Sequence, residues 1–343
     1  MIPIDHLPAD GMGLIGQTPL VYLPSVSARA GAHIYGKCEF LNPTGSVKDR
    51  PARTIVLEAE KRGELRPGGT LVEGTAGNTG IGLALVAAVR KYRCIFIIPD
   101  TMSPEKAAFA RLLGAEVRLV PKVPYADPAN YNHVARDLAR EIPNAIWCNQ
   151  FDNPDNILAH YTTTGPEIWQ QTEGRVEAVV MGSGTGGTLT GVGRFLKERN
   201  KGIKIILADG PGSVLYSYIK EGQPRSEGSS IVEGVGVGRV TDCFDRSVVD
   251  DALMIPDQEA VNEAYRLLWD EGLLVGASAG LSVAGAVAWA RNEGKGKVIV
   301  CNLCDSGSRY MSRLFSPEWL SGQGLTVPAR AHAQGSAAQG TDS

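Results

Sequence analysis

Val179-Val-Met-Gly182-Ser-Gly184-Thr185-Gly186-Gly187-Thr188 runs from a β-branched strand through a glycine-rich turn into a helical pattern. An apolar strand without polar alternation is covered on both faces, which is the signature of a parallel sheet flanked by helices. The turn brings bare backbone N–H groups and threonine hydroxyls to a helix start, where they form a cradle for an anion. Gly182, Gly184 and Gly187 also satisfy Gly-x-Gly-x-x-Gly, and the helix expected over Leu189–Glu198 leads to a strand ending in Asp209. An acid at that distance completes the dinucleotide fingerprint, so an NAD-dependent oxidoreductase stands as one reading of this loop. A ligand-free reading also stands, in which the glycines serve only close strand–helix packing.

The same alternation extends outward. Strands are expected at Ile34–Phe40, Thr70–Glu73, Arg93–Ile98, Glu116–Val120, Ala145–Asn149, Ala178–Met181, Ile203–Ala208 and Lys297–Leu303. Helical patterns lie between or beside them at Thr54–Arg62, Asn78–Tyr92, Pro104–Leu113, Ala260–Trp269 and Leu281–Arg291, with Ser103 as N-cap of the third. This is an α/β chain, expected as two doubly wound domains with largely parallel sheets. The smaller domain is assigned to 46–155 and the larger to 1–45 plus 156–320. The segment 321–343, rich in Gly, Ala, Gln and Ser, reads as a mobile tail, and Gly222–Glu227 as a polar surface loop.

With 34 basic against 37 acidic residues in 343, the chain carries no global field for nucleic acid or anionic membrane. No apolar run reaches the ~18 residues of a membrane span, and the N-terminus lacks a basic segment followed by an apolar one. Six scattered cysteines, most within apolar runs, suggest reduced thiols and a cytoplasmic protein. Cys301-Asn-Leu-Cys304 is read as two core cysteines, and the five histidines show no metal-ligand spacing, so no metal is expected.

Two more strand–helix junctions resemble the first in design. Leu41-Asn-Pro-Thr-Gly-Ser-Val-Lys48-Asp-Arg50 puts a lysine where a helix begins, and the helix dipole there favours a neutral, nucleophilic amine over the surface charge that most lysines are. Glu73-Gly-Thr75-Ala76-Gly77-Asn78-Thr79-Gly80 offers a second helix start to a carboxylate or phosphate, although Thr75 or Asn78 would serve equally as a plain N-cap.

Taken together and in this order, the three segments resemble the fold type II pyridoxal 5′-phosphate (PLP) enzymes, the cysteine synthase and cystathionine β-synthase family with its tryptophan synthase β-like fold. Asn149-Gln-Phe-Asp-Asn-Pro154, Thr164-Gly-Pro-Glu-Ile-Trp169, Glu233-Gly-Val-Gly236 and Gly276-Ala-Ser-Ala-Gly280 extend the likeness. The resemblance implies that Lys48 carries the cofactor as a Schiff base and moves the Cα proton. It assigns Asn78 to the cofactor's 3′ oxygen, Gly184, Thr185, Gly186, Gly187 and Thr188 to its phosphate, and Ser278 to the pyridine nitrogen. Thr75, Ala76, Thr79 and Gln150 match the positions that receive the substrate α-carboxylate. A hydroxyl at the ring nitrogen makes a weaker electron sink than an aspartate, which favours expulsion of a Cβ substituent. The reaction so implied is β-replacement on a serine derivative through an aminoacrylate, cysteine synthesis from O-acetylserine and sulfide. Cysteine desulfhydration and cystathionine formation share that route. Partners are then amino acids with sulfide or a thiol, and a second copy in a homodimer.

The sequence departs from the family in three places. Pro51 stands where a helix former is usual, which shifts the helix start unless it lies in the first turn. Ala76 replaces a common serine. Cys304-Asp-Ser-Gly-Ser-Arg-Tyr310 and Asp209-Gly-Pro-Gly-Ser213 resemble cystathionine β-synthases and desulfhydrase-like members more than bacterial cysteine synthases. The length leaves no room for a haem-binding extension or a regulatory domain pair, against an allosterically regulated cystathionine β-synthase.

Overall fold

The structure, a computed structural model, describes residues 8–75, 77–100 and 104–330. Ala76, Ser103 and the segment 331–343 lie outside the described residues. Among the described residues there are ten strands: β1 (Leu20–Tyr22), β2 (His33–Lys37), β3 (Thr70–Gly74), β4 (Arg93–Pro99), β5 (Glu116–Val120), β6 (Ala145–Trp147), β7 (Ala178–Gly182), β8 (Lys204–Asp209), β9 (Asp251–Met254) and β10 (Val298–Asn302).

They form two sheets, one of order β1-β2-β10-β7-β8-β9 and one of order β5-β4-β3-β6. Among the pairs of these strands only β1–β2 is antiparallel. All strands of the four-stranded sheet fall within 46–155, and all strands of the six-stranded sheet fall outside it.

Side-chain alternation explains why these strands are apolar throughout. Ala178 and Val180 of β7 join the core on one face of the large sheet with Ile206 and Ala208 of β8. Val179 and Met181 join the opposite core with Ile205 and Leu207. In β4, Cys94, Phe96 and Ile98 face one layer while Ile95 and Ile97 face another. Each strand residue therefore loses apolar surface to water, worth about 1.5–3 kcal/mol for a fully buried Val, Leu or Ile.

Three expectations are corrected. β1 and β9 were not foreseen, since three and four residues at a sheet's edges carry little periodic signal. The expected strand Ile34–Phe40 ends at Lys37, because Glu39–Leu41 winds into a 3₁₀ turn. The helix expected over Thr54–Arg62 begins at Asp49 and runs to Lys61, which puts Pro51 in its first turn, where a missing N–H costs no helical hydrogen bond.

The assignment of 321–343 as a mobile tail also requires correction over its first ten residues. The helix Pro317–Gly322 passes through position 321. Beyond it Leu325 and Val327 pack on the large core, and Gln258 exchanges hydrogen bonds with the Thr326 backbone at 2.9 and 3.0 Å. Among the described residues no helix is long and apolar enough to cross a membrane.

Candidate active site

In parallel sheets the ligand crevice lies beyond the carboxyl ends of the strands. Here the ends of β3, β6, β7 and β10 converge on one cavity of about 910 Å³ between the two sheets. Its lining includes Lys48, Thr75, Asn78, Thr79, Gln150, Gly184, Thr185, Gly186, Thr188 and Ser278. Of the residues singled out in the sequence, Gly187 lies behind this wall as the first residue of the helix Gly187–Arg199. Ala76 lies outside the described residues.

Lys48 sits at the cap position of the helix Asp49–Lys61. The loop before it is pinned by Asp49, whose carboxylate accepts the Thr44 N–H at 2.7 Å and the Thr44 hydroxyl. Burial lowers the proton affinity of the Lys48 amine, and Cys304, Asp305 and Glu39 offset this only in part. A larger share of the amine is therefore in the neutral, nucleophilic form than in a surface lysine.

On one side of Lys48 lies the turn after β3. Thr75 is buried, and its Oγ1 accepts the Gly77 N–H at 3.3 Å. Asn78 opens the helix Asn78–Arg90; its Nδ2 donates to Asp305 at 2.7 Å and its Oδ1 accepts from Arg309. Thr79 donates to Gln150 Oε1 at 2.5 Å. Gln150 follows Asn149, which adopts a left-handed φ of 49°, and the Gln150 N–H is held by buried Glu73 at 3.2 Å. Burial pushes the Glu73 carboxyl up to about 8, against hydrogen bonds from Gln150 and Asn149.

On the other side lies the turn after β7. The backbone N–H groups of Gly184, Gly186 and Thr188 donate to no protein acceptor among the described residues. A Cβ at Gly184 would run into the Gly234 carbonyl, and Gly186 has a φ of +93° with the Phe244 backbone 2.7 Å from where its Cβ would stand. Only glycine lets the backbone curl this tightly with its N–H groups turned inward. Asn156 ties this turn to the other, because its Nδ2 donates to Thr185 Oγ1 at 2.9 Å and to the Gln150 carbonyl at 2.7 Å.

Ser278 lies in the first turn of the helix Ala277–Asn292, with its hydroxyl beside the Cys304 thiol. That thiol lines the cavity, so the reading of Cys301 and Cys304 as two core cysteines holds only for the fully buried Cys301. Burial pushes the Cys304 thiol up to about 12 and keeps it neutral. Cys304, Asp305 and Arg309 are site residues that motif reasoning left unassigned; they lie in the segment 304–310, quoted only as a mark of family branch. Cys304 and Asp305 enter the cavity, and Arg309 reaches Asn78 on its wall, because β10 lies beside β7, a pairing across more than a hundred residues.

The dinucleotide reading fails on Asp209. That carboxylate is fully buried and accepts the Gly210 and Tyr216 N–H groups at 3.1 and 2.8 Å, so it braces its own turn and is not available to a ribose.

The donors present suit PLP: an inward-facing N–H nest for a phosphate, an amine with lowered proton affinity, and a neutral hydroxyl on the cavity wall. Comparison with known proteins agrees. Residues 12–305 match the family model described as pyridoxal-phosphate dependent enzyme. The chain belongs to that family, and is a PLP-dependent enzyme of the fold type II architecture. It is 50% identical over 327 residues to cysteine synthase 1 of Neurospora crassa, covering 94% of this chain and 87% of that one. Identity to cysteine synthase 1 of Emericella nidulans is 50% over 316 residues, 91% of this chain and 85% of that one. Cystathionine β-synthase of Apis mellifera is 42% identical over 93% of this chain but only 64% of its own length.

Proposed function

We propose that this chain is a cysteine synthase, catalysing β-replacement on O-acetylserine with sulfide to give cysteine and acetate. The observation that carries the proposal is a single cavity lined by Lys48 and by two helix starts, one fit for a phosphate and the other for a carboxylate. The names of the relatives identical at 50% support the choice of reaction.

PLP, when bound, supplies the electron sink that makes the substrate Cα proton acidic. Gly184, Thr185, Gly186, Gly187 and Thr188 would hold its phosphate, Asn78 its 3′ oxygen and Ser278 its ring nitrogen. Ser278 offers a hydroxyl next to a neutral thiol, so no anion in contact with it keeps that nitrogen protonated. Thr75, Ala76, Thr79 and Gln150 would receive the substrate carboxylate, fixing the amino acid with its Cα proton toward Lys48. Lys48, whose proton affinity burial lowers, would take that proton and hold it within the cavity.

The proposal extends to a division of the chain into 46–155 and 1–45 plus 156–320, to a homodimer, and to a reducing cytoplasm, in line with six free cysteines. The test of function is product analysis with serine, O-acetylserine and cysteine as donors, and sulfide and homocysteine as acceptors. Cysteine from O-acetylserine and sulfide should be the fastest product. If cystathionine from homocysteine, or sulfide released from cysteine, forms faster, the assignment moves to the branch of the Apis mellifera relative or to a desulfhydrase.

A further inference from the structure

His160 lies outside the residues assigned to the reaction, fully enclosed behind the phosphate turn. It occupies the first position of a single π-helical turn, His160–Thr164. Its Nε2 lies 3.1 Å from the Thr188 hydroxyl, and its Nδ1 lies 2.8 Å from the Thr164 hydroxyl. Both neighbours can donate or accept, so a count of hydrogens decides which ring nitrogen carries the proton.

The ring is neutral: burial drives its proton affinity well below the ordinary range, and Arg50 and Lys48 push the same way. One nitrogen therefore donates and the other accepts. Thr162 and Thr163 of the same turn give their hydroxyl hydrogens to carbonyls four residues back, at 2.8 and 2.5 Å. Thr164, wholly buried, makes no such bond, and its hydroxyl meets the His160 ring instead. If Nδ1 carried the proton, the Thr164 hydrogen would be buried with no acceptor among the described residues, a cost that native interiors avoid. With Thr164 donating to Nδ1, the proton falls on Nε2, and Nε2–H donates to Thr188 Oγ1. The Thr188 hydroxyl hydrogen is then released from the protein and free to turn into the cavity.

We propose that His160 is a positioning residue for the cofactor phosphate: as the Nε2–H tautomer it fixes the Thr188 hydroxyl as a donor to the phosphate rather than as an acceptor facing it. The opposite tautomer would turn an oxygen lone pair toward a dianion. The inference rests on the assignment of Thr188 to the phosphate and adds the group behind it.

The test begins with the wild-type holoenzyme labelled with ¹⁵N-histidine. Long-range ¹H–¹⁵N correlation should show His160 with a protonated Nε2 and a bare Nδ1 across the pH range of activity; a protonated Nδ1 overturns the proposal without any mutation. The second part measures the cofactor dissociation constant by equilibrium dialysis. Thr188→Val should weaken PLP binding about tenfold or more, the loss of one hydrogen bond to a charged acceptor. His160→Gln, whose amide N–H₂ can stand where Nε2–H stood, should stay near wild type. His160→Asn, which reaches only the Nδ1 position, should weaken binding as Thr188→Val does. The double variant His160→Asn/Thr188→Val should be no weaker than Thr188→Val alone, because the histidine acts through the threonine. Additive losses in the double variant would mean that His160 acts through general packing and would reject the proposal. Should Thr188→Val leave PLP affinity unchanged, the assignment of the phosphate to this turn fails, and the role of His160 with it. Should Thr188→Val weaken binding while His160→Asn does not, only the role of His160 fails.

Discussion

The Thr79 hydroxyl donates to Gln150 Oε1 at 2.5 Å, joining the helix start after β3 to the turn after β6. With its oxygen so occupied, Gln150 keeps only its amide N–H₂, a pure donor that also serves the buried Glu73 carboxyl beside the cavity. A substrate carboxylate suits that donor, and the Thr79 N–H at the helix start suits it again. Thr79→Ala frees the Gln150 amide to turn, and Gln150→Ala removes it. Each variant should lower kcat/KM by more than about tenfold (roughly 1.4 kcal/mol) for every amino-acid donor alike, whichever leaving group it carries. Steady-state kinetics with O-acetylserine, serine and cysteine check this. A loss confined to one donor would take the pair out of carboxylate binding.

Lys48→Ala should leave PLP bound, since the N–H nest after β7 is independent of the amine. Turnover should fall by at least about 10³-fold, because the group that moves the Cα proton is gone. Borohydride reduction of the wild-type protein should attach the cofactor to Lys48, as peptide mass mapping can show. Label on any other lysine, or near-normal activity of the variant, would remove Lys48 from the mechanism.

Ser278 lies beside the neutral Cys304 thiol. Ser278→Asp should hold the cofactor's ring nitrogen protonated, strengthening the electron sink. Long-wavelength absorbance on adding an amino acid should grow, and release of the Cβ substituent should slow. A spectrum and rate unchanged from wild type would show that Ser278 does not reach the ring.

Glu73 supplies a test on stability. Its folded-state value of about 8 lies above its ordinary 4.5 because burial disfavours the carboxylate. Between those values the folded protein holds a proton that the unfolded chain gives up. The stability linked to this group is thus full below about 4.5 and lost as pH rises through about 8. Glu73→Gln keeps the shape and abolishes the titration. Its Tm relative to wild type should rise steadily from pH 5 to pH 8.5 in calorimetry. A difference that does not change with pH would show that the carboxyl is ionised in the folded state throughout.

The sequence by itself determined the parallel α/β class, the three strand–helix junctions and the candidate lysine, because each is local. A buried strand, a glycine turn and a helix start write themselves into fewer than a dozen consecutive residues, and order along the chain carried the family likeness. Only the tertiary structure decided what those junctions face. Cys304 and Asp305 reach the cavity because β10 inserts beside β7, and Asp209 is withdrawn from any ligand because its own turn closes over it. The short strands β1 and β9 exist only as edges of a sheet that others build. His160 and Asn156 illustrate the limit most plainly: no spacing marks them, since they act through hydroxyls and carbonyls brought near by packing of separate elements. Periodicity reports which face of an element avoids water, whereas the partner met across a cavity depends on how the sheets are placed, and that is settled by the summed packing of the whole chain.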